Sequence, residues 1–245
     1  MATGLQVGEH VFVPVSILEH AGDRPSAFHR AEVLEVGGRS VRVAVGANSE
    51  WVASSKCQRN IGLLIFGVGD LETEATLLDP LSKSVTQFCR LLASDDYVRF
   101  YKVRSLAELG AIWARDHAAF SHVMLIAHGN GTGLKFAVDD WRTAGQLTPV
   151  LDLPGVAPKF FISLSCQAGQ AAFGRPFSQM AACGAHIGAF HSVHGAIASQ
   201  FVQSFLVFHL LQGETTKVAF RHARERVPGS TSFRLWRNGA MTTDA

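Results

Sequence analysis

A histidine and a cysteine, each set where an apolar run gives way to small residues, are the side chains of this sequence best suited to covalent chemistry. The first closes Val123-Met124-Leu125-Ile126-Ala127-His128-Gly129; the second lies in Phe160-Phe161-Ile162-Ser163-Leu164-Ser165-Cys166-Gln167-Ala168-Gly169. A thiolate forms near neutral pH far more readily than an alkoxide, above all beside an imidazole, which casts Cys166 as nucleophile and His128 as its proton partner. Attack on an amide carbonyl creates an oxyanion that fixed N–H groups can hold, and the departing amine needs a proton. The backbone N–H groups of Gly129 and Cys166 suit the oxyanion, and the bare Cα of Gly129 lets main chain approach a substrate carbonyl closely. Such acyl transfer calls for no metal and no organic cofactor.

Both runs must be strands for this chemistry to work, and the surrounding pattern says they are. From Ile61 onward, wholly apolar runs at Ile61–Val68, Tyr97–Val103, His122–Ala127, Phe160–Leu164 and His186–Phe190 are separated by helical stretches. Strands this uniformly apolar are covered on both faces, the condition of a mostly parallel sheet flanked by helices. Helical spacing over Pro80–Ala93 and Ser105–Phe120 marks two crossovers; Gly195–Leu211 and Glu214–Arg226 read as consecutive helices before a last strand at Ser232–Trp236. The expected fold is an α/β sandwich. Ligands bind such sheets at the carboxyl ends of the strands, and neighbouring strands lie about 4.8 Å apart, so His128 and Cys166 are expected on one rim.

Residues 1–60 follow another rhythm. Short alternating runs at Val7, 10–13, 31–36, 41–45 and 50–52 predict strands. Gly37-Gly38 is expected to form a two-residue turn, because glycine accepts the positive φ of primed hairpins. Together they predict a small four- or five-stranded barrel of SH3-like spacing, leaving 61–245 as the second domain. Composition narrows the function classes. With 22 Lys+Arg against 20 Asp+Glu and 47% apolar residues, the chain can bury a large core but offers neither a phosphate-backbone footprint nor a polybasic membrane patch. No run approaches the roughly 18 apolar residues of a span, and the first residues lack a signal-peptide layout. A cytoplasmic protein that binds neither nucleic acid nor membrane is the expectation.

Other candidate sites are weaker. Cys57, Cys89 and Cys183 lie far apart without a C-x-x-C pair, which predicts inert, unbridged thiols rather than a zinc ribbon. His186, His191 and His194 cluster in sequence, but strand alternation separates the first two and no further ligands accompany them. Asn130-Gly131-Thr132-Gly133 lacks the Lys-Ser/Thr of a phosphate loop, and Gly67-Val68-Gly69-Asp70 lacks the third glycine of a dinucleotide fingerprint. The segment 131–138 instead predicts a small hairpin beside the site. No G-x-S-x-G frames Ser163 or Ser165, which removes the α/β-hydrolases.

His128-Gly129 at one strand end and Ser165-Cys166-Gln167-Ala168-Gly169 at another resemble the caspase-like cysteine peptidases, and most of all their CHAT-type domains. The resemblance runs from about Ile61 to Arg226 and takes in the small-residue stretch 180–190 and the two helices after it. It implies a caspase-hemoglobinase fold, a His128–Cys166 dyad, and Gly129 with Cys166 as the oxyanion hole. It also implies a regulated endopeptidase of a bacterial defence or cell-death system, acting on a protein or peptide and switched on by a partner or an upstream protease. Relatives selective for basic residues carry Asp two positions before the cysteine, where Leu164 stands here. A substrate carboxylate must then come from elsewhere: Asp79 first, then Asp70 or Glu72, with Ser165 as a further substrate contact. Acid selectivity would need arginines, for which the rim offers Arg175 and Arg142. Segments 139–153 and 170–178 are expected as processing loops if the chain is a zymogen. The rival reading is a catalytically silent adaptor that uses the same fold to bind a partner.

Overall fold

A computed structural model describes residues 4–20, 27–70 and 72–242. The amino-terminal part is an antiparallel sheet of β1 (His10–Pro14), β2 (Phe28–Val36), β3 (Ser40–Val45) and β4 (Asn48–Ala53), paired in that order. Alternation does what period two requires: Val11, Val13, Val33, Val41, Val43, Val45 and Val52 are buried together in its own core. Two expectations change. Among the described residues no ladder joins β1 to β4, and only a bridge from Phe12 to Gln58 approaches closure. The two-residue hairpin sits at Gly46-Ala47, where Val45 pairs with Asn48 and Gly46 takes φ +64°. Gly37 and Gly38 do not have positive φ; Val36 pairs with Val41 across four residues, and Gly37 N–H donates to Ser40 O. Val7 is exposed and lies outside any strand.

The larger sheet has seven strands. β5 (Leu63–Val68), β6 (Val98–Val103), β7 (His122–Ile126), β11 (Lys159–Ser163) and β12 (Cys183–Ala189) run parallel; β13 (Phe233–Arg237) and β14 (Ala240–Met241) add antiparallel. Spatial order is β14-β13-β12-β11-β7-β5-β6. Every residue of β5, β7 and β11 is buried, as double coverage demands. One face packs α1 (Asp79–Ala93), α5 (Gly195–Leu206) and α6 (Thr216–Arg226). The other packs α2 (Leu106–Asp116), α3 (Ala144–Leu151) and α4 (Ala171–Ser178). The chain is therefore mixed α/β, with a mostly parallel sheet between two helical layers.

The expected processing loops are instead α3 and α4. Leu147 and Leu151, and Phe173 and Phe177, are fully buried beneath them. Pro149 and Pro176 inside these eight-residue helices disguise them in the sequence, since proline normally ends a helix. The expected hairpin at 131–138 is larger than drawn: β8 (His128–Gly129), β9 (Gly133–Phe136) and β10 (Asp140–Thr143) form a three-stranded antiparallel sheet whose first strand carries the candidate histidine.

The small sheet packs on the amino ends of the parallel strands, away from that rim. Phe28 joins the large core, Phe12 meets Tyr97 edge-on at 5.2 Å, and Lys56 Nζ donates to Gln212 O at 2.7 Å. Among the described residues no helix is long and apolar enough to cross a membrane.

Candidate active site

The sheet register brings the two motifs together. Leu125 pairs with Ser163, and Leu164 N–H donates to Leu125 O at 2.8 Å. Three residues further along each strand stand His128 and Cys166. Their neighbours touch: a Cβ added to Gly129 would lie 2.2 Å from Cys166 O and 3.1 Å from Ser165 Cβ. Glycine is needed here for the approach of the partner strand's own carbonyl, a nearer cause than the substrate carbonyl expected above.

Cys166 is a free, partly exposed thiol in the turn that leaves β11. Gln167 holds φ +62°, so the chain reverses immediately after Cys166. Gln167 N–H donates to His191 O at 3.4 Å and Gly169 N–H to Ala189 O at 2.8 Å, which ties the turn to the end of β12. Cys166 N–H donates to no protein group among the described residues. Asn130 N–H donates to Gly133 O, so the antiparallel alternation turns the Gly129 N–H away from β9. Both expected oxyanion donors are thus left without strand partners.

His128 is anchored from one side. Its Nε2 meets Thr73 Oγ1 and lies 3.3 Å from Asp70 Oδ2. Asp70 is buried and accepts from Thr73 N–H at 2.8 Å, Glu72 N–H at 2.9 Å and Thr73 Oγ1 at 3.1 Å. The Thr73 amide, its hydroxyl, the Glu72 amide and the facing imidazole hold the Asp70 carboxyl below the ordinary carboxylate range, against the opposing effect of burial. With Thr73 O–H donated to Asp70, the Thr73 oxygen accepts from Nε2–H. The lone pair of His128 then sits on Nδ1, which has no protein partner among the described residues. That tautomer suits a base for a neighbouring thiol.

The other sequence-predicted contacts have different surroundings. Asp79 pairs with Lys102 at 2.9 Å, and Lys102 also binds Glu74, which bonds Arg104 at 3.3 Å. Asp70 supports the imidazole rather than facing open space. Ser165 is fully buried and its Oγ has no partner among the described residues. Glu72 and Arg175 are exposed, and Arg142 pairs with Asp139 at 3.5 Å. His186 is buried beside Phe177, within 3.1 Å of Ser163 Oγ, and burial pushes its pKa down to about 3. His194 Nδ1 accepts from Ala196 N–H at the start of α5, and His191 is exposed. The three histidines do not converge. Thr73 was missed by the sequence reading; its one signal is Asp70-x-x-Thr73 directly after β5, the spacing of an aspartate capping a turn.

No protein-family model matches the chain, and no curated protein sequence matches it.

Proposed function

We propose that this chain is a caspase-like cysteine endopeptidase, most similar to the CHAT type, with His128 and Cys166 as its dyad. The observation that carries the reading is the His128 ring: Nε2 is anchored by Thr73 and Asp70 while Nδ1 has no partner among the described residues, at the strand end beside a partly exposed thiol. A caspase-hemoglobinase arrangement for residues 61–245 and an SH3-like character for residues 1–60 belong to the same proposal. Nδ1 takes the thiol proton, and the sulfur attacks the scissile carbonyl. The N–H groups of Gly129 and Cys166 receive the oxyanion. Collapse breaks the C–N bond, with His128 returning the proton to the amine, and leaves a thioester on Cys166. Water, deprotonated by the same imidazole, attacks the thioester; the second collapse frees the carboxylic acid and the thiol. Asp70 supports the imidazolium formed between these transfers. Activation by a partner or an upstream protease, in a defence or cell-death setting, is a family-level analogy.

Cleavage profiling on a randomised peptide library tests the reading. Wild type should release new amino termini, while Cys166→Ala and His128→Ala, with unchanged circular dichroism, should release none. Retained hydrolysis by purified Cys166→Ala ends the peptidase reading. A wild-type protein inert to both the library and a thiol-reactive peptide probe favours the adaptor.

A further inference from the structure

We propose that Glu74 is a positioning residue for His128: its carboxylate ties the segment that carries Thr73 to the end of β6 and so holds the imidazole at the angle the dyad needs. This role presupposes the peptidase reading of His128 and Cys166. Thr73 reaches His128 Nε2 from the short segment between β5 and α1. The bonds inside that segment are local. Asp70 accepts from Glu72 N–H, Thr73 N–H and Thr73 Oγ1, and Leu77 N–H donates to Thr73 O at 3.0 Å. They fix Thr73 against Asp70 but leave the turn as a whole able to swing about the end of β5.

The side chain that joins the turn to the sheet is the next one. Glu74 Oε1 bonds Lys102 Nζ, and both Glu74 oxygens accept from the Arg104 guanidinium at 3.3 Å. Lys102 is the penultimate residue of β6, and Arg104 follows the strand directly. Lys102 also bonds Asp79 at 2.9 Å, so one ammonium spans the π-helical turn Glu74–Leu78 from its first residue to the first residue of α1. The Glu74 side chain is 13% exposed, against 72% for Asp95 in its pair with Arg90, so solvent screens the Glu74 contacts far less. Its carboxylate also lies on the main chain just before Asp70: a Cβ added to Gly69 would be 2.6 Å from Glu74 Oε2. The Arg104 guanidinium bonds only Glu74 among the described residues, and its buried Nε has no partner there. A buried N–H left unmet is costly, so stability alone does not favour this arrangement. Cutting the tether lets Thr73 Oγ1 move off Nε2. The ring then loses its angle and its tautomer, and Nδ1 carries the lone pair less of the time.

Two measurements on the full chain test this. The first is kcat and KM on a fluorogenic peptide found by library profiling. Glu74→Ala should lower kcat about tenfold with KM within about twofold, because the loss falls on geometry and not on substrate binding. Glu74→Gln keeps an oxygen for Lys102 and Arg104 and should recover most of the loss. Arg104→Met keeps the reach of the side chain and removes the unmet N–H; it should lower kcat in the same direction, and it covers the case in which Glu74→Ala misfolds. In a Thr73→Val background the contact is already gone, so adding Glu74→Ala should cost less than about twofold more. The second measurement is the 15N spectrum of the His128 ring, assigned by its loss in His128→Ala. The Nε2–H tautomer should dominate in wild type and lose ground in Glu74→Ala. This readout needs no turnover, so it decides how the ring is held even in a chain that cleaves no peptide, where the peptidase reading itself has failed. A kcat within about twofold of wild type in folded Glu74→Ala or in Arg104→Met overturns the proposal, as does a full loss of about tenfold in the Thr73→Val background. An unchanged His128 tautomer in Glu74→Ala does so as well.

Discussion

Replacing Gly129 with alanine adds one methyl group where the two strand ends meet. Its Cβ would lie 2.2 Å from Cys166 O, whereas carbon and oxygen settle no closer than about 3.3 Å. The strand ends must therefore part by about 1 Å. Gly129 does not hold a positive φ, so the penalty is contact alone and not backbone strain. Upstream, Leu164 N–H is fixed on Leu125 O; beyond, β8 is fixed by β9. The shift consequently falls on residues 127–129 and 165–167, which carry both members of the proposed dyad. A misplacement of about 1 Å costs roughly 100-fold in rate. Overpacking costs about 1–3 kcal/mol of stability, and each kcal/mol lowers Tm by about 2–4 °C in a chain of this size. The assay is kcat on a fluorogenic peptide chosen by library profiling, together with a thermal melt. Turnover should fall by about two orders of magnitude, with Tm several degrees lower in a chain that still folds. A kcat within about twofold of wild type and an unchanged Tm would refute the reasoning, because strand ends this close cannot absorb a methyl group without moving.

Burial pushes Cys57 up to about 11 and Cys89 and Cys183 up to about 12, so iodoacetamide at about pH 7.5 should modify Cys166 alone. Mass spectrometry of tryptic peptides checks this, and equal labelling of Cys57 would contradict it. Asp70 has a depressed pKa in the folded state, so its contribution is full above the unfolded value of about 3.9 and fades as pH falls through the lower folded value. Urea unfolding should therefore show wild type ahead of Asp70→Asn at neutral pH, with the gap shrinking below about pH 4; a constant gap would argue against the pairing. His186 is held neutral to about pH 3, so below about pH 6.5 the unfolded chain takes up a proton that the folded chain refuses. This lowers stability by about 2 kcal/mol between pH 6.5 and 5. His186→Gln, which keeps a donor for Ser163, should remove that loss, and an unchanged pH dependence would count against it.

The strands that position the site were legible because double burial leaves a plain mark: every residue of β5, β7 and β11 is buried, and each was read from its apolar run. The short helices α3 and α4 were not. Eight residues give periodicity little room, and Pro149 and Pro176 argue locally against helix while Leu147, Leu151, Phe173 and Phe177 argue for it only once a core exists to receive them. The Gly37-Gly38 turn failed for a related reason, since the pairing of Val36 with Val41 set the loop length rather than the glycines.

By itself the sequence determined which side chains could do chemistry, and that both stand at strand ends, because residue type and hydrophobic period are local properties. What only tertiary structure decided is how they are held. Asp70 and Thr73 reach the His128 ring across 58 and 55 positions of chain, and Gly129 meets the Cys166 carbonyl across 37. Asp79, a free carboxylate on paper, is matched by Lys102 through the β5–β6 edge. Such pairings arise from strand order and register, which depend on packing of the whole sheet and leave no periodic trace in any one segment.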